Sequence, residues 1–179
     1  LFSNQHLDFQ KSKEYFLKAG KYSNADINYK TTNYSSHKSS FKNTINPKSI
    51  ATYSYLYASR CFYLLDEHQE ALNISLKSYK LNSNINEIIY DVSKYMACNN
   101  EVDKSIEYLS KAIQNDRFVT KKVYRDIDLM KHSKVADYLE KIKIEKLNEG
   151  ISHFNECQKV INENSIYFEN LMKAKKHLK

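Results

Sequence analysis

Two glycines and one proline in 179 residues leave this chain little means of making tight turns or Gly-rich loops. Glycine supplies the positive backbone torsions on which many β-hairpins and phosphate-cradling loops depend. A sheet-rich fold and a Gly-rich nucleotide site are therefore both disfavoured. Hydrophobic residues form 41% of the chain and charged residues 27%, which is enough apolar material for a core. An all-α fold is expected.

Asn46-Pro47 is the clearest start signal. Asn can accept a hydrogen bond from an early helical amide, and Pro at the first helical position sacrifices no useful donor. Helical spacing then runs through Ile50, Tyr53, Tyr57, Cys61 and Leu64. A turn at Asp66-Glu67-His68 leads into a second helix with Ala71, Leu72, Ser75 and Ser78 on one face. Asn84 with Glu87 has capping-box spacing and is expected to start a third helix through about Ala97. Asn100 with Asp103 is expected to cap a fourth.

Sliding the chain by 34 residues pairs Tyr55 with Ile89, Ala58 with Val92, Ser59 with Ser93 and Phe62 with Met96. The same shift pairs Ala71 with Ser105, Leu72 with Ile106 and Ser78 with Ala112, so large meets large and small meets small. On these residues the chain resembles the tetratricopeptide-repeat family. The family's usual Gly after the bulky residue is Ser here, and its late Pro is Ser83 or Arg117. The resemblance implies an all-α, right-handed helical-hairpin solenoid, with repeats over 47–84 and 85–118. It also implies a degenerate terminal repeat over 119–143. Ser12, Phe16 and Ala19 suit the second helix of a partial repeat over 1–26, as though the chain were a piece of a longer array. Residues 27–46 read as a polar insertion or loop, since 16 of the 24 residues from 27 to 50 are Ser, Thr, Asn or Lys. Ile27, Tyr34 and Phe41 recur every seven residues there, which leaves a marginal amphipathic helix open. Residues 144–179 read as one long amphipathic helix, with Leu147, Ile151, Phe154, Ile161 and Phe168 on one side. It either caps the last hairpin or serves as a partner-binding or dimerising helix.

The net charge of +7 is unevenly spread: +5 over residues 1–50, −3 over 51–116 and +5 over 117–179. Basic ends suit an anionic partner, yet 25 of the 28 basic residues are Lys, whereas phosphate-reading surfaces favour Arg. Cys61, Cys98 and Cys157 are an odd, scattered set that fits neither a disulfide framework nor a zinc pattern and suits a reducing, cytoplasmic compartment. The longest apolar run, Cys61 to Leu65, is far too short for a membrane span.

Catalytic motifs are lacking, so no enzyme activity and no cofactor are expected. His153 and Cys157 would share a helix face, but no matching pair completes a zinc site, and no metal is expected. Cys61 and Cys98 fall near the packing face and read as structural thiols. Asp126 and Asp128 diverge on a helix and make a poor acid/base pair.

What remains is a binding surface. In the family that this chain resembles, first-helix residues facing away from the second helix line a concave groove. By register these include Tyr53, Tyr57, Arg60 and Tyr63, then Tyr90, Asp91 and Lys94, and more loosely Tyr124 and Arg125. The expectation is a non-enzymatic scaffold that captures a protein or peptide segment. A relative's carboxylate clamp would need Lys and Asn where this chain has Leu56, Arg60 and Asp91, so that variant is disfavoured. Two alternatives stand: a basic nucleic-acid-binding repeat protein using Tyr22, Tyr29, Tyr34 and Phe41, or a regulatory segment of a multidomain enzyme.

Overall fold

A computed structural model describes residues 8–33 and 46–176, and every regular element among them is helical. The chain divides into two compact units at Val135–Ala136. In the first unit, α1 (Phe9–Asn33), α2 (Pro47–Leu64), α3 (His68–Leu81), α4 (Asn86–Cys98) and α5 (Val102–Asn115) each pack on the next. Two short helices follow: α6 (Val119–Val123) lies against α5, and α7 (Ile127–Met130) lies against α4. The helix α8 (Ser133–Lys176) begins in this unit and makes up the second.

Asn46 caps α2 as the sequence requires: its Oδ1 accepts from the Lys48 amide at 3.0 Å, and Pro47 occupies the first turn. Neither expected capping box forms. Helix α4 starts one residue late, with Ile85 at its N-cap and no side-chain cap bond. Ile85 packs against the core, and its burial takes precedence over a polar cap. Asn84 instead donates its amide to Asn82 Oδ1 at 3.1 Å. Asn100 cannot cap α5 because its backbone is left-handed (φ 62°), which places Glu101 at the N-cap.

That left-handed residue belongs to a geometric recurrence. Asp66 (φ 58°) and Asn100 are the non-glycine residues of positive φ among those described, and they stand 34 positions apart. Short polar side chains tolerate this conformation, so Asp and Asn do here what glycine commonly does. The N-caps Glu67 (φ −85°, ψ 61°) and Glu101 (φ −85°, ψ 56°) repeat the same torsions. So do the C-caps Asn82 (φ −150°, ψ 99°) and Asp116 (φ −149°, ψ 111°). Glu67 donates its amide to Phe62 O at 3.0 Å, and Glu101 donates to Met96 O at 2.9 Å. The hairpins α2–α3 and α4–α5 thus share one turn design.

Small side chains sit where the paired helices approach. Ala58, Ala71 and Ala112 are fully buried, as are Ser59, Ser75, Ser78, Ser93 and Ser105. Each hydroxyl finds a backbone carbonyl or a second hydroxyl. That of Ser78 reaches across to Thr52 O at 2.7 Å. In the second hairpin the equivalent link runs in reverse, with the Asn86 side-chain amide donating to Ala112 O at 3.1 Å. Tyr55, Leu56, Leu72, Ile88, Val92 and Tyr95 fill the space around these positions.

Helix α1 reaches this core through Phe16, Leu17 and Gly20. A Cβ on Gly20 would lie 2.8 Å from the Tyr55 ring, so the approach of α1 to α2 depends on its absence. The helix runs to Asn33, seven residues beyond the expected partial repeat. Tyr34 and Phe41, which would continue the seven-residue pattern from Ile27, lie outside the described residues.

The long C-terminal helix starts at Ser133, eleven residues before the expected start. Within the expected terminal repeat, the first-helix position holds two short helices, α6 and α7, in place of one continuous helix. From Lys143 to Lys173 every residue of α8 is exposed, Leu147 (61%), Ile151 (50%) and Phe154 (65%) included.

Candidate functional site

Six of the first-helix residues selected by register make side-chain contacts within the fold. They join two adjacent polar clusters that tie α2, α4 and the α6–α7 segment together.

The first cluster centres on Arg60 of α2. Its Nε donates to Asp91 Oδ2 on α4 at 2.7 Å, and its Nη2 donates to Glu87 Oε2 at 3.1 Å. Asp91 is only 6% exposed. Burial pushes its carboxyl above the ordinary value, and the Arg60 charge only partly opposes that rise. Burial would lower the Arg60 pKa, but Asp91 and Glu87 together raise it. The Tyr57 ring lies 5.7 Å from the Arg60 guanidinium and 5.5 Å from the Phe16 ring.

The second cluster centres on Lys94 of α4. Its ammonium sits 4.2 Å from the Tyr63 ring centroid, 3.2 Å from Asp126 and 3.5 Å from Asp128. The Tyr63 hydroxyl donates to Asp128, and the Tyr63 ring stacks on Tyr95 at 5.4 Å. The Tyr90 hydroxyl donates to Asp126 Oδ2 at 2.7 Å, while Lys122 Nζ lies over the Tyr90 ring at 3.6 Å. Desolvation lowers Lys122, whereas in Lys94 the same effect is outweighed by Tyr63 and Asp126. Tyr90 is held well above the ordinary phenol value by burial and then by Asp126. The Asp126 Oδ1 also caps α7 by accepting the Asp128 amide at 3.1 Å.

Of the nine residues selected from sequence, Tyr57, Arg60, Tyr63, Tyr90, Asp91 and Lys94 belong to these clusters. Tyr53 (45% exposed) stands free on α2, and Tyr124 (52%) and Arg125 are exposed after α6. Tyr90 offers 2% of its surface to solvent. Four charged members were not among those selected from the sequence: Glu87, Lys122, Asp126 and Asp128. The two aspartates do not diverge as a helical pair would, because Asp126 precedes α7 and both reach the same ammonium. The run Asp126-Ile127-Asp128 after a helix end was their one local signal.

Burial moves both inner thiols away from reactivity: Cys61 is raised, and Cys98 is pushed up to about 11 by burial and then Asp128. With every carboxylate of the clusters facing a cation or a donated hydroxyl, the arrangement holds elements in place and presents aromatic surface at its edge. No protein-family model, curated protein or solved structure matches this chain.

Proposed function

We propose that α2–α5 are two units of a tetratricopeptide-like right-handed solenoid that captures a protein segment without catalysing a reaction. The 34-residue recurrence of turn torsions supports the architecture. The observation that carries the binding role is Tyr57, which is 44% exposed yet held in contact with both Phe16 and Arg60. A tyrosine fixed before the partner arrives adds contact area at little further entropic cost, as binding hot spots do. Tyr53, one turn earlier on α2 and equally exposed, extends the same helix face. The buried clusters keep this face rigid and are not themselves the contact.

The module is placed in the cytoplasm, where its three free cysteines would stay reduced. No described helix is long and apolar enough to cross a membrane. Nucleic-acid binding draws less support, because Lys13, Lys94 and Lys134 are engaged by Glu67, Asp126 and Asp103. Replacing Tyr53 and Tyr57 together by Ala tests the reading. Pull-down from a native extract should lose its specific partner, with the melting transition in place. Retained capture by the folded variant rejects the α2 face as the contact.

A further inference from the structure

The exposed half of α8 carries a regular apolar pattern, and its side chains are exposed among the described residues. Ile144, Leu147, Ile151 and Phe154 follow the alternating three- and four-residue steps of a heptad seam. Gln158, Ile161, Ser165, Phe168 and Met172 continue those steps without a break. The apolar members are between 50% and 65% exposed. The seam spans about 43 Å at 1.5 Å per residue, or roughly four heptads, which is the length from which coiled coils draw their stability. A helix of 44 residues is also far longer than globular packing ordinarily calls for.

We infer that this seam pairs with the same seam of a second copy of the chain, as a parallel, in-register coiled coil. Two features select a like copy. Heterotypic coiled coils choose partners through charges beside the seam. Here most flanking positions are uncharged, with Asn148, Asn155 and Asn162 on one side and Gly150, Cys157 and Asn164 on the other; Lys143 and Glu169 flank the two ends. In a parallel, in-register pair Lys143 faces Asn148 and Glu169 faces Asn164, so no like charges meet between identical copies and little charge encodes a different partner. Other charges lie away from the seam, where Lys146 meets Glu149 at 2.7 Å and Lys159 meets Glu163 at 3.9 Å.

The second feature is Gln158. An amide both donates and accepts, so two Gln158 side chains in one layer satisfy each other. An apolar partner would bury the amide unpaired, at a cost of about 1–3 kcal/mol. Ser165, one heptad later, meets its own equivalent in the same register. An antiparallel pairing sets these positions opposite apolar seam residues instead, so the polar layers specify the parallel arrangement.

Sedimentation equilibrium of the 179-residue chain tests this. The expected mass is twice the 21.1 kDa of one chain. Ile151→Glu with Phe154→Glu should return the single mass without loss of the hairpins, since both side chains are exposed on α8. Phe154→Cys in a Cys157→Ser background should form a disulfide-linked dimer on oxidation, as a parallel seam brings the two copies of position 154 face to face. A wild-type chain that stays monomeric through the micromolar range overturns the inference. So does a dimer that survives the double Glu substitution, or a position 154 that fails to cross-link. A monomer that pellets with phosphatidylserine vesicles would assign the seam to a lipid surface and overturn it equally.

Discussion

Arg60 on α2 and Asp91 on α4 lie 31 residues apart in the chain, and their side chains meet at 2.7 Å across neighbouring hairpins. The acid is buried and the base one-third exposed, so the pair contributes alignment of the hairpins more than net stability. Asp91→Ala leaves the guanidinium with Glu87 alone and should destabilise the chain by about 1–3 kcal/mol. Glu87→Gln removes a solvent-exposed partner and should cost less than about 1 kcal/mol. Urea unfolding of both variants measures the difference; equal costs would mean that burial of Asp91 has no energetic consequence.

Asp91 and Asp128 should titrate on opposite sides of the ordinary value of 3.8. Asp91 is raised by burial. Burial also pushes Asp128 upward, but the Tyr63 hydroxyl, Lys94 and Lys131 together bring it down. A raised carboxyl binds its proton more tightly when folded, so the Asp91 contribution is present below 3.8 and is lost as pH rises through its folded pKa. For Asp128 the sign reverses: its contribution is present above 3.8 and is lost as pH falls through its lower folded pKa. Carboxyl carbon shifts followed by NMR should show Asp91 protonating first on acidification. Tyr63→Phe should move the Asp128 midpoint upward and leave Asp91 in place.

The hairpins were legible in the sequence because their signals are local. Asn46-Pro47, the apolar spacing and the matched small residues at a 34-residue shift all act within one helix or one turn. The clusters were not legible, since Tyr63 meets Asp128 across 65 residues and Tyr90 meets Asp126 across 36. Nor did spacing show that α6 would stop after five residues, leaving Lys122, Asp126 and Asp128 to close over α4. Exposure was misjudged for a related reason. Helical register places Tyr90 and Asp91 on the face turned from the second helix, but register says nothing of what lies across that face.

The two glycines should respond to alanine with opposite signs. A methyl at Gly150 would meet nothing within 4 Å, so Gly150→Ala should raise the helicity of α8 by the usual gain of about 1 kcal/mol. Gly20→Ala makes the same local gain but drives the new methyl into the buried Tyr55 ring at 2.8 Å. Overpacking of this kind costs about 1–3 kcal/mol, so the net change should be destabilising. Thermal melts compare the two, and a stabilised Gly20→Ala would show that α1 shifts away from α2 at little cost.

The small positions make the sharpest demand on the repeat. Ala71 and Ser105 are equivalent by the 34-residue shift, and both are fully buried. If the hairpins share one packing design, exchanging their residues should be mild, whereas enlarging either should not. Ala71→Ser adds a hydroxyl that can bond back to its own helix, as Ser75 does with Leu72 O at 2.9 Å. Ser105→Ala removes a hydroxyl that lies 3.2 Å from Ser93, and Ser93 keeps its bond to the Ser105 carbonyl at 2.9 Å. Each exchange should cost about 1 kcal/mol or less. Ala71→Leu and Ser105→Leu should instead cost about 3 kcal/mol or more, because the paired helices must part along their whole length. Denaturant midpoints of the four variants decide the matter. A well-tolerated Leu at either position would show that the helices do not pack through these residues, and the shared design would fail with it.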